Sequence, residues 1–185
     1  MVKKLYILIL GALILSGFSS GVSTVNAGMR DTRSIYKALF IYNFATLVDW
    51  PSEYRKGDFI IGVYGNGNSV HSELLKKYNG KAIGAQNITV KKYNSISEIK
   101  TVPHILYLTE EKSDKITSVS SKYSRKSSLL ITEKEGYLNK GSIINFVIDR
   151  KKNNKQSYEI SKINAKKHKL VIASKLTSLA VKVVE

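Results

Sequence analysis

Cysteine is absent from the 185-residue sequence, and histidine occurs only three times. Without cysteine, disulfide bonds and thiolate-bound metal sites are excluded, so the fold must rest on packing alone. None of His71, His104 and His168 has a second histidine or an acidic residue at the spacing of a zinc-binding HExxH motif. His104 also precedes an apolar run, which favours a structural histidine. We therefore expect no metal site.

Catalytic motifs are equally lacking. No pair of carboxylates for acid–base chemistry is evident. Glu110 and Glu111 are adjacent, but they stand at a predicted helix start, where negative charge stabilises the helix dipole. We expect a protein without enzymatic activity; an exported enzyme without a recognisable motif is the alternative.

Apolar runs long enough to span a bilayer are also missing. The longest, residues 5–15, is well short of the roughly 20 residues that a spanning helix needs. Lys3 and Lys4 precede this run, and Val25-Asn26-Ala27 follows it with small residues where a signal peptidase cleaves. The pattern predicts a signal peptide over residues 1–27, and hence an exported protein. An uncleaved membrane anchor is the alternative.

Acidic residues are scarce: 14 Asp and Glu stand against 30 Lys and Arg, for a formal net charge of +16. The lysines form scattered pairs and are not gathered on one helix with interleaved aromatic residues, as nucleic-acid binding would favour. Export also argues against a nucleic-acid partner. The charge indicates a soluble basic surface, or a patch that meets anionic lipid or an acidic protein.

A long element without glycine or proline opens the exported chain, over residues 32–50. Asp31 and Thr32 offer capping oxygens at its start. Pro51 ends it, because the residue before a proline avoids helical backbone angles. Its apolar residues form more than one stripe, so the helix should be buried on two sides. We expect one side to lie on a sheet and the other to contact a second helix or another subunit.

Strands and helices alternate after this helix. Apolar runs predict strands at residues 59–64, 88–90, 104–108 and 128–132. Helices are expected between them, at residues 69–78, 95–100 and 111–123. Two further runs, 143–148 and 157–161, flank a charged turn and predict an antiparallel hairpin.

The tail should contain a short helix near residues 164–168 and a final helix over residues 174–184. The buried stripe expected for that last helix is Leu176, Leu179, Ala180 and Val183. The whole order predicts an α/β fold: a mostly parallel sheet flanked by helices on both faces, with an antiparallel hairpin near the C-terminus.

The glycine-containing segment at residues 65–70 stands between a predicted strand and a predicted helix, which is the place of a dinucleotide-binding loop. Val70 replaces the third glycine of that motif, and no acidic residue ends the following strand. We read the segment as a plain turn and expect no cofactor.

Two side chains stand out as possible contacts. Trp50 is the only tryptophan, and Arg55 follows close by, so an aromatic ring and a cation are available for a partner or a flat ligand. The alternative is that Trp50 closes the end of the core. Glu159 lies inside a predicted strand, where it either faces water or faces inward with a partner, since an unpaired buried charge is costly.

Residues 37–45 (KALFIYNFA), followed by Asp49-Trp50-Pro51, resemble the opening signature of the YfiR family. Later landmarks of that family appear in order at residues 59–65, 80–81, 88–90, 104–107, 131–132, 141–146, 158–160 and 174–176. The chain departs from the family pattern at Ser142, where a second glycine is common, and at Ser161, where asparagine is common. It also cannot respond to redox conditions through cysteine, as disulfide-bearing relatives do.

The resemblance implies an α/β sandwich, often dimeric, that works in the periplasm. It also implies a brake, which engages the periplasmic part of an inner-membrane diguanylate cyclase and holds cyclic-di-GMP synthesis down. We expect residues 28–185 to form a single YfiR-like domain that represses such a signalling enzyme and so limits biofilm formation. The alternative is a periplasmic small-molecule sensor or carrier acting with a histidine kinase or another membrane partner, with a pocket near Trp50 and Arg55.

Further expectations concern the partners. We expect a homodimer, no nucleic acid, and contact with the membrane only through the partner protein. The candidate contacts with a partner or ligand are Tyr36, Phe40, Phe44, Trp50, Arg55 and Glu159.

Overall fold

Residues 32–185 are described by the computed structural model, and the predicted signal peptide at residues 1–27 lies outside that range. The α-helices in this range are α1 (Thr32–Leu47), α2 (Asn68–Tyr78), α3 (Ile116–Lys122), α4 (Lys162–Lys167) and α5 (Ser174–Leu179). The strands are β1 (Val48–Asp49), β2 (Phe59–Tyr64), β3 (Ala82–Ile83), β4 (Gln86–Tyr93), β5 (Ile105–Leu108), β6 (Leu129–Thr132), β7 (Ile144–Asp149), β8 (Lys155–Ser161), β9 (Val171–Ile172) and β10 (Lys182–Val184). Between residues 32 and 185, no helix is both long enough and apolar enough to cross a membrane.

The main sheet has eight strands in the order β10-β8-β7-β6-β5-β2-β4-β3. Its central strands, from β4 through β2, β5 and β6 to β7, run parallel. Strand β8 returns antiparallel to β7, with Ile144 opposite Ile160, and this pair is the predicted hairpin. The predicted α/β fold with a mostly parallel sheet and an antiparallel hairpin is therefore confirmed.

The apolar runs of the sequence become strands that are buried along their whole length. Every residue of β2, β5 and β6 is buried. Parallel strands with helices over both faces are expected to read as continuous apolar segments, because neither face meets water. These three adjacent strands form the centre of the core.

The predicted final helix over residues 174–184 is wrong. Helix α5 ends at Leu179, the backbone becomes extended at Ala180, and the N–H of Val181 donates to the carbonyl of Tyr158 at 3.0 Å. Residues 182–184 then pair with β8 as strand β10. The open edge of β8 supplies backbone groups that need partners, and β-branched valines suit a strand. Leu176 is buried as predicted, whereas Leu179 is exposed.

Other predicted helices also differ from the structure. The helix predicted over residues 95–100 is only a 3-10 turn, Ile96–Glu98. Helix α1 ends at Leu47, because Val48 and Asp49 pair with β9 in a separate two-stranded sheet. The helix predicted over residues 111–123 begins as a 3-10 segment (Glu110–Lys115) and becomes α-helical only at Ile116, which is buried together with Val119. At the end of α1, the pairing with β9 decides the local backbone.

Candidate functional site

Helix α1 presents an outward row of side chains, which we call the outer stripe: Tyr36, Leu39, Asn43 and Thr46. Tyr36 is 49% exposed and Leu39 is 40% exposed, both high for side chains of this size. Successive members are three, four and three residues apart, so they lie along one face of the helix. The opposite side of α1, with Ala38, Ile41, Phe44 and Ala45, is fully covered. The helix therefore has one buried side and one side open to a partner.

An aromatic layer beneath α1 fixes its position on the sheet. The Phe40 and Phe44 rings each meet the ring of Tyr158 on β8 edge-on, with centroids 5.2 and 5.0 Å apart. Phe44 also lies 6.1 Å from Phe146 on β7. The structure thus brings the predicted contacts Phe40 and Phe44 together, but Phe44 is buried within the chain and Phe40 is partly buried. Phe40 and Phe44 attach α1 to the sheet on the side opposite the outer stripe.

Tyr158 anchors this layer through its hydroxyl, which donates to the carbonyl of Leu176 on α5 at 3.0 Å. Burial raises the pKa of Tyr158 to about 12, so the hydroxyl stays protonated and remains a donor at neutral pH.

Trp50 and Arg55 lie together at the far end of α1, away from the aromatic layer. The Trp50 ring is buried and meets Phe59 edge-on at 5.0 Å. The Arg55 Nε donates to the Trp50 carbonyl at 2.9 Å, and its guanidinium pairs with Asp49 at the surface. Trp50 thus covers the end of the core, and Arg55 is the exposed member of the pair.

His104 is held beside Trp50 as a structural histidine, as predicted. Its Nδ1 accepts from the N–H of Ile60 at 3.1 Å, and its Nε2 donates to the carbonyl of Tyr54 at 2.6 Å. Burial lowers the pKa of His104, so the imidazole is neutral and both nitrogens are satisfied.

Glu159 lies on β8 and is partly buried, with a partner. The Nδ2 of Asn145, its neighbour on β7, donates to Glu159 Oε2 at 3.3 Å. The carboxylate lines a groove of about 780 Å³ that also contains Glu133, Phe146 and the basic residues at the tip of the hairpin. Glu159 is therefore separated from the Trp50–Arg55 pair, and the two do not form one site.

A second hollow, the switch-point crevice, lies where the chain changes direction along the sheet. Strand β4 lies on one side of β2, and strand β5 lies on its other side. The chain segments that leave the carboxyl ends of β2 and β5 therefore run toward opposite edges of the sheet. Ligands of open α/β sheets bind at such points. The crevice measures about 510 Å³ and is lined by Ser34, Lys37, residues 66–70, Tyr107, residues 109–111, Glu133 and Lys134.

An ion pair between Lys37 and Glu133 crosses one wall of this crevice. The Lys37 side chain is 16% exposed and the Glu133 side chain is 11% exposed. Lys37 belongs to α1, and Glu133 directly follows β6, so the pair ties the helix to the carboxyl edge of the sheet. The backbone N–H of Glu133 also donates to Ser113 Oγ at 3.1 Å, which holds the acidic residue in place.

Sequence reasoning did not select Lys37 or Glu133. A signal was present, because Lys37 is the only charged residue between Arg33 and Asp49 in an otherwise apolar helix. Such an isolated charge must reach water or a partner. Its partner was out of reach of a local pattern, since it lies 96 residues away.

The glycine segment after β2 packs tightly on the loop after β5. Gly65 has φ +112°, and a Cβ there would clash with Thr109 Oγ1 and approach Lys112 Cγ to 2.6 Å. The N–H of Asn66 donates to Glu111 Oε1 at 2.8 Å. A carboxylate of the chain itself thus takes the backbone donor that would face a phosphate in a dinucleotide-binding loop. The crevice offers charged groups of both signs, which suits a small zwitterionic molecule.

A family model described as YfiR/HmsC-like matches residues 34–181. No curated protein matches the chain.

Proposed function

The chain belongs to the YfiR/HmsC-like family, and from that premise we propose that it is a periplasmic binding protein that represses an inner-membrane diguanylate cyclase. Its action would hold cyclic-di-GMP low and limit biofilm formation. We also propose that residues 1–27 are removed as a signal peptide and that residues 28–185 form one YfiR-like domain. The family match over most of the chain and the leader-like N-terminal sequence support these proposals.

The outer stripe is the surface that we assign to contact with the cyclase. Tyr36 and Leu39 carry the assignment, because a large apolar side chain left half in water gains most when a partner covers it. The aromatic layer and the Lys37–Glu133 ion pair hold α1 from two directions, so the stripe is preorganised for binding. A preorganised surface loses little conformational freedom on association.

We favour the hypothesis that the protein has a regulatory and non-catalytic role. Two polar contacts within the chain already cross the switch-point crevice: the Lys37–Glu133 ion pair and the hydrogen bond from the Asn66 N–H to Glu111. Among residues 32–185, no group of three potential metal ligands comes together. We propose that the protein acts through its surfaces, as a homodimer.

Complementation of a gene deletion tests the assignment. Deletion should raise intracellular cyclic-di-GMP, and expression of the unaltered protein should lower it again. The Leu39→Ser variant should fail to restore repression, while Leu75→Ser on α2 should restore it. The two leucines are a matched pair, since Leu75 is 41% exposed and Leu39 is 40% exposed.

The cyclase proposal is wrong if deletion leaves cyclic-di-GMP unchanged under all growth conditions. If Leu39→Ser and Leu75→Ser lose repression equally, the assignment of cyclase contact to the outer stripe is refuted, while the cyclase proposal itself is not. Light scattering of the same variants tests whether the outer stripe instead joins two copies of this chain. If Leu39→Ser converts a dimer to a monomer, the stripe joins two copies of this chain.

A second candidate function is the sensing of a small zwitterionic molecule in the switch-point crevice. The observation that favours it is the Lys37–Glu133 pair on the crevice wall, where a ligand carboxylate and ammonium group could exchange partners with the two side chains. Thermal unfolding in the presence of free amino acids tests this function. A stabilisation that the Lys37→Met/Glu133→Gln double variant abolishes would support it, and a flat response would refute it.

A further inference from the structure

Helix α4 carries a basic and apolar surface that the proposed function does not use. We call this surface the lysine face: Lys162, Ile163, Lys166 and Lys167, which line one shallow hollow together with Glu185. Ile163 is 45% exposed at its centre, and Lys166 and Lys167 are exposed beside it. An apolar side chain among lysines is the pattern of surfaces that lie on membranes.

The inner side of α4 fixes the orientation of the lysine face. Asn164 Nδ2 donates to the carbonyls of Leu138 and Ser142 at 2.7 and 2.8 Å. Ala165 and His168 are buried on the same side of the segment. With these residues anchored in the core, Ile163, Lys166 and Lys167 are turned outward in a fixed arrangement.

The chain segment that carries the lysine face is strongly basic. Residues 160–184 contain no acidic residue and six lysines, at positions 162, 166, 167, 169, 175 and 182. Glu185 pairs with Lys162 at 2.9 Å. Within residues 32–185, neither Lys166 nor Lys167 makes a salt bridge. Their charges are available to an anionic surface.

Exposed apolar side chains are concentrated in the same stretch of chain. Val171 lies on β9, which packs against α4, and it is exposed like Ile163. Lysine side chains next to such residues can lay their aliphatic stems on an apolar environment while the ammonium groups remain at the headgroups. The face therefore provides both of the interactions that hold a protein at a bilayer surface.

The kind of basic residue distinguishes a lipid partner from a protein or nucleic-acid partner. Residues 160–185 contain no arginine and no phenylalanine, tyrosine or tryptophan. Protein interfaces are enriched in arginine and aromatic residues and depleted of lysine. Single-stranded nucleic acids are bound by stacking on aromatic rings. Flexible lysine point charges suit the diffuse charge of mobile headgroups.

We propose that the lysine face docks on the anionic headgroups of a phospholipid bilayer. This departs from the expectation that the protein meets a membrane only through its partner. Docking would confine the protein to the membrane plane, where a membrane-bound partner is found at high local concentration. The proposal does not depend on repression of a cyclase, and either one can fail without the other.

Binding of the purified mature protein, residues 28–185, to phospholipid vesicles tests the proposal. The protein should co-sediment with vesicles that contain phosphatidylglycerol and not with vesicles of phosphatidylcholine alone, and added salt should release it. The Lys166→Gln/Lys167→Gln variant should partition about 25-fold more weakly, because each lysine near an anionic surface contributes a factor of about five. Ile163→Ser should weaken binding to a degree that salt does not change.

A second pair of lysines provides the matched control. Lys151→Gln/Lys152→Gln removes the same charge from the tip of the β7–β8 hairpin. Strand β8 separates that tip from α4 by roughly 20 Å, about two screening lengths at physiological salt. This control should change vesicle binding by less than about threefold. Circular dichroism should show that all variants remain folded.

Four results would overturn the proposal. Equal binding to both kinds of vesicle, or no binding to either, removes the anionic lipid as the partner. Equal losses in the two lysine variants would mean that net charge alone governs binding. A change of oligomeric state in the Lys166→Gln/Lys167→Gln variant, without a change in vesicle binding, would make the lysine face a contact between copies of this chain.

Discussion

The ion pair between Lys37 and Glu133 should behave as a largely buried pair, and its energetics can be measured directly. Both side chains are less than one-fifth exposed, at 16% and 11%. Lys37→Met removes the ammonium group and leaves the Glu133 carboxylate in a poorly solvated crevice wall. Breaking a fully buried pair costs about 3–5 kcal/mol. Because the crevice is open to water on one side, we expect a loss of about 2–4 kcal/mol in the free energy of unfolding.

The double variant distinguishes the interaction from simple loss of packing. Glu133→Gln alone should also destabilise, because Lys37 is then left without its counter-charge. Lys37→Met/Glu133→Gln removes both charges and should be more stable than the sum of the single losses predicts. The expected coupling energy is about 1–3 kcal/mol, the range for residues in direct contact.

Urea unfolding of the four proteins measures these energies, with the slope of the transition as a check that the unfolded state is unchanged. Measurements at low and high salt add a second criterion, since a mostly buried pair is only weakly screened. If the free energy of unfolding of each single variant lies within about 0.5 kcal/mol of that of the unaltered protein, the pair behaves as an exposed ion pair. That result would remove the ion pair as a restraint on α1.

Two further substitutions test the packing that supports the site. Gly65→Ala should lower the free energy of unfolding by about 2–4 kcal/mol, because it combines φ +112° with a clash against Thr109. Gly84→Ala, where φ is +57° and a Cβ would meet nothing within 4 Å, should cost only about 1–2 kcal/mol; equal costs would contradict the close approach of the two loops. Phe44→Ala should cost about 3–5 kcal/mol in urea unfolding, and a loss below about 1 kcal/mol would contradict the aromatic layer under α1.

The strands were predictable because their cause is local. A run such as residues 59–64 has neither helical nor alternating periodicity, and a fully covered strand is the short element that fits it. The charged turn between β7 and β8 likewise marks a hairpin in the sequence itself, with Asn153 and Asn154 at positive φ. Where turn chemistry and burial agree, sequence reasoning reaches the right topology.

The errors arise where a distant strand decides the local backbone. Residues 180–184 have a helical apolar pattern, yet the edge of β8 recruits them as β10 through the bond from Val181 to Tyr158. The Lys37–Glu133 pair is a similar case, since it joins residues 96 positions apart. Such contacts depend on the assembled sheet. Conversely, Trp50 and Phe44 were predicted as contacts with a partner or ligand, but both are buried in the core of the chain.

Buried histidines make the stability of the protein sensitive to mild acid. His104 and His168 are buried, and burial lowers the pKa of each below the value of 6.5 for an exposed histidine. Burial with help from Lys92 also lowers the pKa of His71, which is partly exposed. When pH falls toward and below 6.5, the histidines of the unfolded chain take up protons that those of the folded chain do not. The free energy of unfolding must therefore fall with decreasing pH.

The size and origin of this pH dependence can be tested together. Each histidine can contribute at most about 1.4 kcal/mol per pH unit. The Asp114 carboxyl does not interfere, because a hydrogen bond from Tyr137 holds its pKa below 3.8, outside the interval tested. Urea unfolding at several values between about pH 7.5 and 5.5 should show a steady loss of stability, and His168→Gln should reduce the slope. A protein equally stable at both ends of this interval would contradict the burial of neutral histidines in the fold.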